Sequence, residues 1–255
     1  MEKFILVTRG RTGSTAVLDE LGKSRSFCVM QEIFLRLTWT ENEKVLKDYY
    51  KILHPFDLWK RQGLRWERMI PAYYSDSRQA HKYLMDAEKL ALSQGVKGIG
   101  FKVLSHHFDE RPFLDKLLKQ HGYRAMYLKR NSIRQVLSGM VAKQRGIYNS
   151  RENVVDDRCY HINLDEFRWH VQWERECVKN DCARLSGEGF DFIEVSYEDY
   201  CANREAFYGK VFNFLNLPLE LPPPSDFVKM IKEPKMVIEN YDEVANVAAA
   251  LGEPL

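Results

Sequence analysis

The chain has 255 residues, which is long enough for one large domain with a substantial core and does not require two domains. Its composition of 45% hydrophobic and 29% charged residues is that of an ordinary soluble globular protein. A net charge of only +2 argues against whole-molecule attraction to nucleic acid or a membrane, so any basic site must be local. We find no nucleic-acid motif, no apolar N-terminal signal and no apolar run of membrane-spanning length, so no transmembrane segment is expected.

The first predicted elements are a strand, a glycine loop and a helix at the start of the chain. Residues 4–7 form an apolar run typical of a buried strand, and Val17, Leu18 and Leu21 share one face of the following helix. The loop between them, residues 8–15, leaves backbone N–H groups free at a helix N-terminus. Because the helix dipole favours an anion there and Arg11 adds a positive charge, the loop is predicted to bind a phosphate.

Further apolar runs predict four more strands, and the segments between them have helical periodicity. The runs are residues 27–30, 97–104, 123–129 and 190–195. Parallel strands joined by helical crossovers are expected to form a three-layer α/β/α fold with a central parallel sheet.

The remaining segments are assigned by composition. Residues 34–95 contain no predicted strand and are expected to form a helical cap. Residues 146–165 are typical of a mobile loop, and residues 166–186 of a long helix. Prolines precede a C-terminal segment, residues 218–255, whose apolar residues are expected to pack on the core. The whole chain, residues 1–255, is expected to be a single domain.

Charged side chains follow the predicted strands, and ligands of open parallel sheets bind outside the carboxyl ends of the strands. These ends carry Arg9, Arg11, Glu32, Lys102, Ser105, His106, His107, Lys129, Arg130 and residues 196–198. A magnesium-dependent nucleotide enzyme needs Gly-Lys-Ser/Thr in its loop and an Asp after an apolar strand. Gly13-Ser14-Thr15 has no preceding lysine, and among the strand ends only Glu32 offers a suitable carboxylate. The pattern predicts a multiply anionic ligand neutralised by side chains without a metal.

A second anion site is predicted beside the first. Arg130 closes the strand predicted over residues 123–129, and Ser138 lies two turns into the helix predicted over residues 132–143. An arginine there gives a charge-assisted hydrogen bond to a phosphate, and a serine hydroxyl adds a neutral donor. The two sites together predict a ligand with two separated phosphates.

These residues resemble motifs of the sulfotransferases that use 3′-phosphoadenosine 5′-phosphosulfate (PAPS). Residues 11–15, Arg-Thr-Gly-Ser-Thr, resemble the 5′-phosphosulfate loop of that family, and Arg130 followed by Ser138 matches its 3′-phosphate motif in residue type and spacing. Residues 31–34 and 141–146 are similar to the bacterial trehalose and lipopolysaccharide-type branch. The resemblance spans roughly residues 3–217 and implies the P-loop NTPase-like sulfotransferase fold.

The resemblance implies roles in binding the donor, PAPS, and its product, adenosine 3′,5′-bisphosphate. Its 5′ side and the transferring sulfuryl group would be bound by Arg11, Thr12, Gly13, Ser14 and Thr15. Arg130 and Ser138 would hold the 3′-phosphate, and Tyr197 would contact the adenine. Arg11 would also stabilise the leaving group as its bond to sulfur breaks.

The resemblance also implies the base and the acceptor side. Glu32 matches the catalytic base of the branch, and His106 is the alternative base. The acceptor side is expected to include Lys102, His106, His107 and Tyr148, the last standing where the family commonly has tryptophan. The acceptor itself would be a hydroxyl of a carbohydrate, a glycolipid or a small metabolite. Structural roles stay open: Glu32 could form a salt bridge to an arginine of residues 34–95, and each histidine could be a hydrogen-bonded structural residue.

Two other functions fit parts of the sequence. One is a P-loop nucleotide or small-molecule kinase, which the missing lysine and magnesium aspartate disfavour. The other is a non-catalytic nucleotide-binding protein of the same fold, which would keep both phosphate motifs without turnover. The five cysteines are odd in number and lack CxxC pairs, so we expect reduced thiols, a cytoplasmic location and no metal. A homodimer is left open.

Overall fold

A sheet of five parallel strands forms the centre of the protein. The computed structural model describes residues 1–37, 53–62, 76–148, 150–151, 158–229, 231, 233–253 and 255. The strands are β1 (Glu2–Thr8), β2 (Phe27–Met30), β3 (Gly98–Leu104), β4 (Arg124–Lys129) and β5 (Phe192–Ser196). Their order in the sheet is β2-β3-β1-β4-β5, and every neighbouring pair is parallel. All five strands predicted from the sequence are therefore confirmed.

Helices of the described residues connect and flank the strands. They are α1 (Ser14–Lys23), α2 (Phe56–Gln62), α3 (Asp76–Ser93), α4 (His106–Glu110), α5 (Leu114–Gln120), α6 (Ser132–Arg145), α7 (Leu164–Gly187), α8 (Tyr197–Ala202), α9 (Arg204–Phe214) and α10 (Tyr241–Ala250). A short 3-10 helix, Pro234–Met236, precedes α10. Among these helices, none has the length and apolar character that crossing a bilayer requires.

The central strand β1 is apolar on both faces because helices cover both sides of the sheet. Phe4 and Leu6 pack in one hydrophobic cluster, with buried residues of α1 and α9. Ile5 and Val7 pack in another, with buried residues of α3 and α5. Alternate residues of a strand point to opposite faces, so a continuous apolar run is what a strand buried on both sides requires. The predicted three-layer arrangement is confirmed.

The described part of the predicted cap includes one helix that belongs to the layer beside the sheet. Helix α3 buries Tyr83, Leu84 and Ala87 in the same cluster as Phe101 of β3. It is thus a crossover helix between β2 and β3. Residues 38–52 and 63–75 of the predicted cap lie outside the described residues, as do residue 149 and residues 152–157 of the predicted loop.

A third hydrophobic cluster joins α6, α7 and α10. Phe167 and Val171 of α7 are fully buried in it, and Ile238 and Val244 of the C-terminal segment pack against them. The helix predicted over residues 166–186 is present as part of α7, and the C-terminal segment contributes Ile238 and Val244 to this cluster. Since α6 follows β4 directly, this cluster fixes a helix that starts at the carboxyl edge of the sheet.

Candidate functional site

The loop after β1 has the backbone conformation of an anion-binding turn. Gly13 has a φ of 82° and immediately precedes α1, and no side chain caps this helix. Arg11 also has a positive φ, 67°, which is uncommon for a residue with a side chain and marks a constrained loop. The backbone N–H groups in the first turn of α1 therefore have no capping side chain, and they are available to an anion at the positive end of the helix dipole.

Side chains fix the loop from behind. Oγ1 of Thr8 and Oγ1 of Thr12 are within hydrogen-bonding distance of each other, and each lies 3.2 Å from the carbonyl oxygen of Arg9. Oγ1 of Thr8 also lies 2.9 Å from the carbonyl oxygen of Leu128 in β4, so its single hydrogen has acceptors on both sides of the loop. Thr12 is buried and does not line the cavity described next, so its side chain stabilises the loop rather than facing a ligand.

A cavity of about 240 Å³ lies at the carboxyl ends of the strands, in front of this loop. It brings together most of the residues that the sequence predicted for the site. These are Arg11, Gly13, Ser14, Thr15, Glu32, Lys102, Arg130, Ser138, Tyr148 and Tyr197. They come from β1, β2, β3, β4 and β5 or from the segments that follow them, so the parallel topology accounts for their convergence.

Arg11 and Arg130 form a pair of like charges beside each other. Nη1 of Arg130 donates to the carbonyl oxygen of Arg11 at 2.9 Å, and Nη2 of Arg11 donates to Oγ of Ser138 at 3.2 Å. Burial lowers the pKa of both guanidinium groups, and the charge of Arg130 lowers that of Arg11 further. Within the described parts of the chain, neither arginine has a carboxylate oxygen within 4.0 Å. The charge of Glu198 acts on Arg130 but forms no ion pair with it within 4.0 Å, so among the described residues the two half-buried cations are suited to bind an anion.

The side chains of the two predicted phosphate sites are in direct contact. The side chain of Arg11, expected at the 5′ side, reaches Ser138, which was expected at the 3′-phosphate. The sequence placed the two sites about one strand apart, and β1 and β4 are indeed neighbours. The sequence could not give the direction of the Arg11 side chain, which turns from the loop towards α6.

Tyr197 packs between the loop and Arg130. A Cβ atom added to Gly13 would lie 2.2 Å from Cε2 of Tyr197, so only glycine allows this contact. The guanidinium of Arg130 lies 4.7 Å from the centre of the same ring. Burial raises the pKa of Tyr197 to about 12. The ring therefore supports both the loop and Arg130 as well as lining the cavity.

Glu32 and Lys102 form an ion pair at the opposite side of the cavity. Their Oε1 and Nζ atoms are 2.6 Å apart, and Nζ of Lys102 also lies 3.4 Å from Oγ1 of Thr15. The backbone N–H of Lys102 donates to the carbonyl of Gln31 at 3.3 Å, which ties the turn after β2 to β3. Glu32 is therefore ion-paired with Lys102 of β3, whereas the alternative predicted for it was a salt bridge to an arginine of residues 34–95. Lys102 lies between the carboxylate and the helix N-terminus.

The structure does not bring the two histidines to the cavity. His106 is exposed on α4, and His107 is fully buried behind it. Nδ1 of His107 accepts from the N–H of Leu104 at 3.3 Å, which fixes the proton of the neutral ring on Nε2. The predicted roles of both residues on the acceptor side, and of His106 as the alternative base, therefore find no support in their positions.

The same tautomer disfavours a metal at these histidines. Ligand atoms of His106, His107 and Glu110 lie within 4.8 Å of one another, which is close enough to consider a metal ion. A protonated Nε2 has no lone pair to offer a metal. Burial lowers the pKa of His107, and the charges of His106, Arg111 and Lys102 lower it further. Nε2 of His107 is buried without a hydrogen-bond partner among the described residues, and the expected absence of a metal stays a prediction.

Sequence reasoning missed the wall that the C-terminal segment contributes to the cavity. Phe227, Val228, Lys229 and Ile231 line it together with Tyr148 and Ser150. The N–H of Val228 donates to the carbonyl of Ser150 at 3.0 Å, so the two segments meet at the cavity. Tyr148 is half exposed, and its carbonyl accepts from Nη1 of Arg11. No periodic pattern marks these residues, which explains why the sequence did not reveal them.

Glu20 holds this wall in place. It is 1% exposed and accepts hydrogen bonds from the hydroxyl groups of Tyr200 and Tyr208, at 2.7 and 2.8 Å. Arg204 donates to it at 2.8 Å, and so does the backbone N–H of Ser225, also at 2.8 Å. A single buried carboxylate on the loop helix α1 thereby anchors the segment that leads to residues 227–231.

Comparisons with known proteins give similarity of structure only. No family model matches the chain, and no curated protein matches it. A sulfotransferase domain from the curacin biosynthetic pathway is 14% identical, with a TM-score of 0.49, covering 100% of this chain and 99% of that one. A sulfotransferase from Alicyclobacillus acidocaldarius is 12% identical, with a TM-score of 0.46, covering 100% and 97%.

A mouse sulfotransferase complexed with PAP is also 12% identical, with a TM-score of 0.42, covering 86% of this chain and 60% of that one. At these identities and scores, the function has to be inferred from the residues that line the cavity.

Proposed function

We propose that the protein transfers a sulfuryl group from PAPS to a hydroxyl of a carbohydrate, glycolipid or small-molecule acceptor. The observation that supports this most is the pair Arg11 and Arg130, half-buried side by side without a carboxylate partner in the described chain. Two such cations facing one cavity favour a ligand with more than one negative charge.

The donor would lie with its 5′ end on the loop and its 3′-phosphate at Arg130. The amides at the start of α1, Ser14 and Thr15 are suited to the phosphosulfate, because a helix N-terminus binds anions. Arg130 and Ser138 offer charged and neutral donors to the 3′-phosphate. This second phosphate is what separates such a donor from ATP.

The reaction would proceed by in-line attack of the acceptor oxygen on sulfur. The new O–S bond forms as the S–O bond to the 5′-phosphate breaks, and the acceptor proton passes to the carboxylate of Glu32. Arg11 and the loop amides stabilise the charge that develops on the leaving phosphate. Lys102, 2.6 Å from Glu32 and 3.4 Å from Thr15, is positioned to contact the sulfuryl oxygens in transit.

Donor binding is tested by calorimetry with adenosine 3′,5′-bisphosphate and with adenosine 5′-monophosphate, which lacks the 3′-phosphate. We expect the bisphosphate to bind more tightly. Arg130→Met should weaken its binding roughly 10- to 100-fold, since a hydrogen bond to a charged group contributes about 1.5–3 kcal/mol. Lys143→Met, an exposed cation of the same helix, is the matched control and should bind normally. Equal affinity of the wild-type protein for both nucleotides would refute the assignment.

Turnover is tested by transfer of labelled sulfuryl groups from PAPS to a panel of sugars, glycolipids and phenols. Glu32→Gln should reduce turnover by at least about 100-fold, the contribution expected of a general base, while bisphosphate binding survives. An active Glu32→Gln enzyme together with an inactive His106→Ala enzyme would contradict the base assignment. Tight bisphosphate binding without transfer to any acceptor would favour the non-catalytic alternative, and ATP-dependent phosphorylation that a chelator abolishes would favour a kinase.

A further inference from the structure

A buried polar network lies directly behind the loop, between α6 and α7. Gln135 of α6 is 4% exposed, and its side-chain amide donates to the carbonyl oxygen of Gly10 and to Oε1 of Glu174, both at 2.8 Å. Glu174 of α7 is 7% exposed and forms an ion pair with Nε of Arg9, at 2.7 Å. Both hydrogens of the Gln135 amide are thus used, one of them on the loop.

Burial on this scale demands a complete set of partners. Desolvation raises the pKa of Glu174, and the charge of Arg9 and the hydrogen bond from Gln135 oppose that rise. The guanidinium of Arg9 in turn lies 4.8 Å from the centre of the Trp173 ring. Removing one buried hydrogen-bond partner leaves the other unsatisfied, so the network has one well-defined arrangement.

Side chains bind two successive carbonyls of the loop, one from the network and one from Arg130. The Gly10 carbonyl is bound by Gln135, and the next carbonyl, that of Arg11, is bound by Arg130 at 2.9 Å. A carbonyl oxygen that turned towards the cavity would repel an anion there, whereas a carbonyl held from behind leaves the cavity to N–H groups. Gln135 is therefore set to keep the loop in its anion-binding orientation without touching the ligand.

We propose that Gln135 is a positioning residue for the 5′ end of the donor, acting through the carbonyl of Gly10. This inference rests on the proposed function, because it assumes that the loop binds the 5′-phosphate group. It predicts a larger effect at that end of the ligand than at the 3′ end. Leu137 and Val141 hold the helix of Ser138 in the third hydrophobic cluster, so the 3′ end is coupled to the loop only through the contacts of Arg11 with Arg130 and Ser138.

The test compares two nucleotides on three proteins by calorimetry. The nucleotides are adenosine 3′,5′-bisphosphate and adenosine 3′-monophosphate, and the proteins are wild type, Gln135→Met and Gln144→Met. Gln144 is a matched control on the same helix, because it is exposed and its amide donates to the carbonyl of His161 at 3.0 Å, outside the cavity. Gln135→Met should bind the bisphosphate about tenfold more weakly and should lose clearly less affinity for the 3′-monophosphate. Gln144→Met should bind both normally.

The possible results separate this inference from the proposed function. If the wild-type protein does not bind the bisphosphate, the proposed function fails. If it binds and Gln135→Met binds equally well, or loses affinity for both nucleotides to the same degree, the positioning role is refuted. Should Gln135→Met fail to fold, the exchange Gln135→Glu with Glu174→Gln keeps a hydrogen bond between the two side chains but removes the donor to Gly10. That double variant should show the same selective loss for the bisphosphate, and its absence would equally refute the role.

Discussion

The buried histidine His107 should make the stability of the protein fall in mild acid. Burial, together with the charges of His106, Arg111 and Lys102, lowers the pKa of His107 from 6.5 to about 3. In the folded protein the ring therefore stays neutral at a pH where the unfolded chain binds a proton. The stability that this contributes is complete above pH 6.5 and is lost progressively as the pH falls towards about 3.

The size of the effect follows from the shift. One pKa unit corresponds to about 1.4 kcal/mol, and the loss begins near the unfolded value, so lowering the pH from about 7.5 to about 5 should remove about 2 kcal/mol. The assay is urea unfolding at both values for wild type and His107→Asn, whose amide oxygen can still accept from Leu104 N–H. His106→Asn, an exposed neighbour, is the matched control. Between these two pH values, the unfolding free energy of the wild type and of His106→Asn should fall by about 2 kcal/mol more than that of His107→Asn. An identical loss in all three proteins would refute the reasoning.

Two further predictions concern the loop and its support. Gly13→Ala should cost at least about 1–2 kcal/mol of unfolding free energy in urea, because residue 13 has a φ of 82° and an added Cβ would overlap Tyr197. Gly10→Ala is the control: a Cβ added there meets no atom within 4 Å, so it should cost less than about 1 kcal/mol. Equal costs would mean that the Tyr197 contact does not constrain the loop. Glu20→Gln should cost about 3 kcal/mol of unfolding free energy in the same assay, because it removes a buried ion pair and one of the two oxygens that accept from Tyr200 and Tyr208. A loss under about 1 kcal/mol would show that the wall is anchored elsewhere.

The sheet could be predicted because its strands are buried on both faces. Such strands are apolar at successive positions, as residues 4–7 are, so the runs stand out from the amphipathic helices between them. The convergence of Arg11, Lys102 and Arg130 followed from topology alone, since the carboxyl ends of parallel strands share one edge. These inferences needed only local patterns and one rule about parallel sheets.

What the sequence could not give was the direction and burial of individual side chains. His106 and His107 are adjacent and chemically identical, yet α4 exposes one and buries the other. The sequence gives no sign that Glu20 of α1 is buried, because the groups that bind it, Tyr200 and Tyr208, are about 180 residues away in the chain. Both outcomes depend on tertiary contacts that no local pattern encodes.

The arginine pair explains how the site can be unfavourable for folding and favourable for binding. Burying Arg11 and Arg130 beside each other costs free energy in the unliganded protein, as their lowered pKa values indicate. Because much of this desolvation occurs on folding, an arriving phosphate does not have to strip water from the guanidinium groups again. The hydrogen bonds to the Arg11 carbonyl and to Ser138 also fix the guanidinium groups before the ligand arrives. Preorganised, dehydrated cations bind an anion more strongly than mobile surface cations do, so the same burial that lowers stability should raise affinity for a doubly phosphorylated ligand.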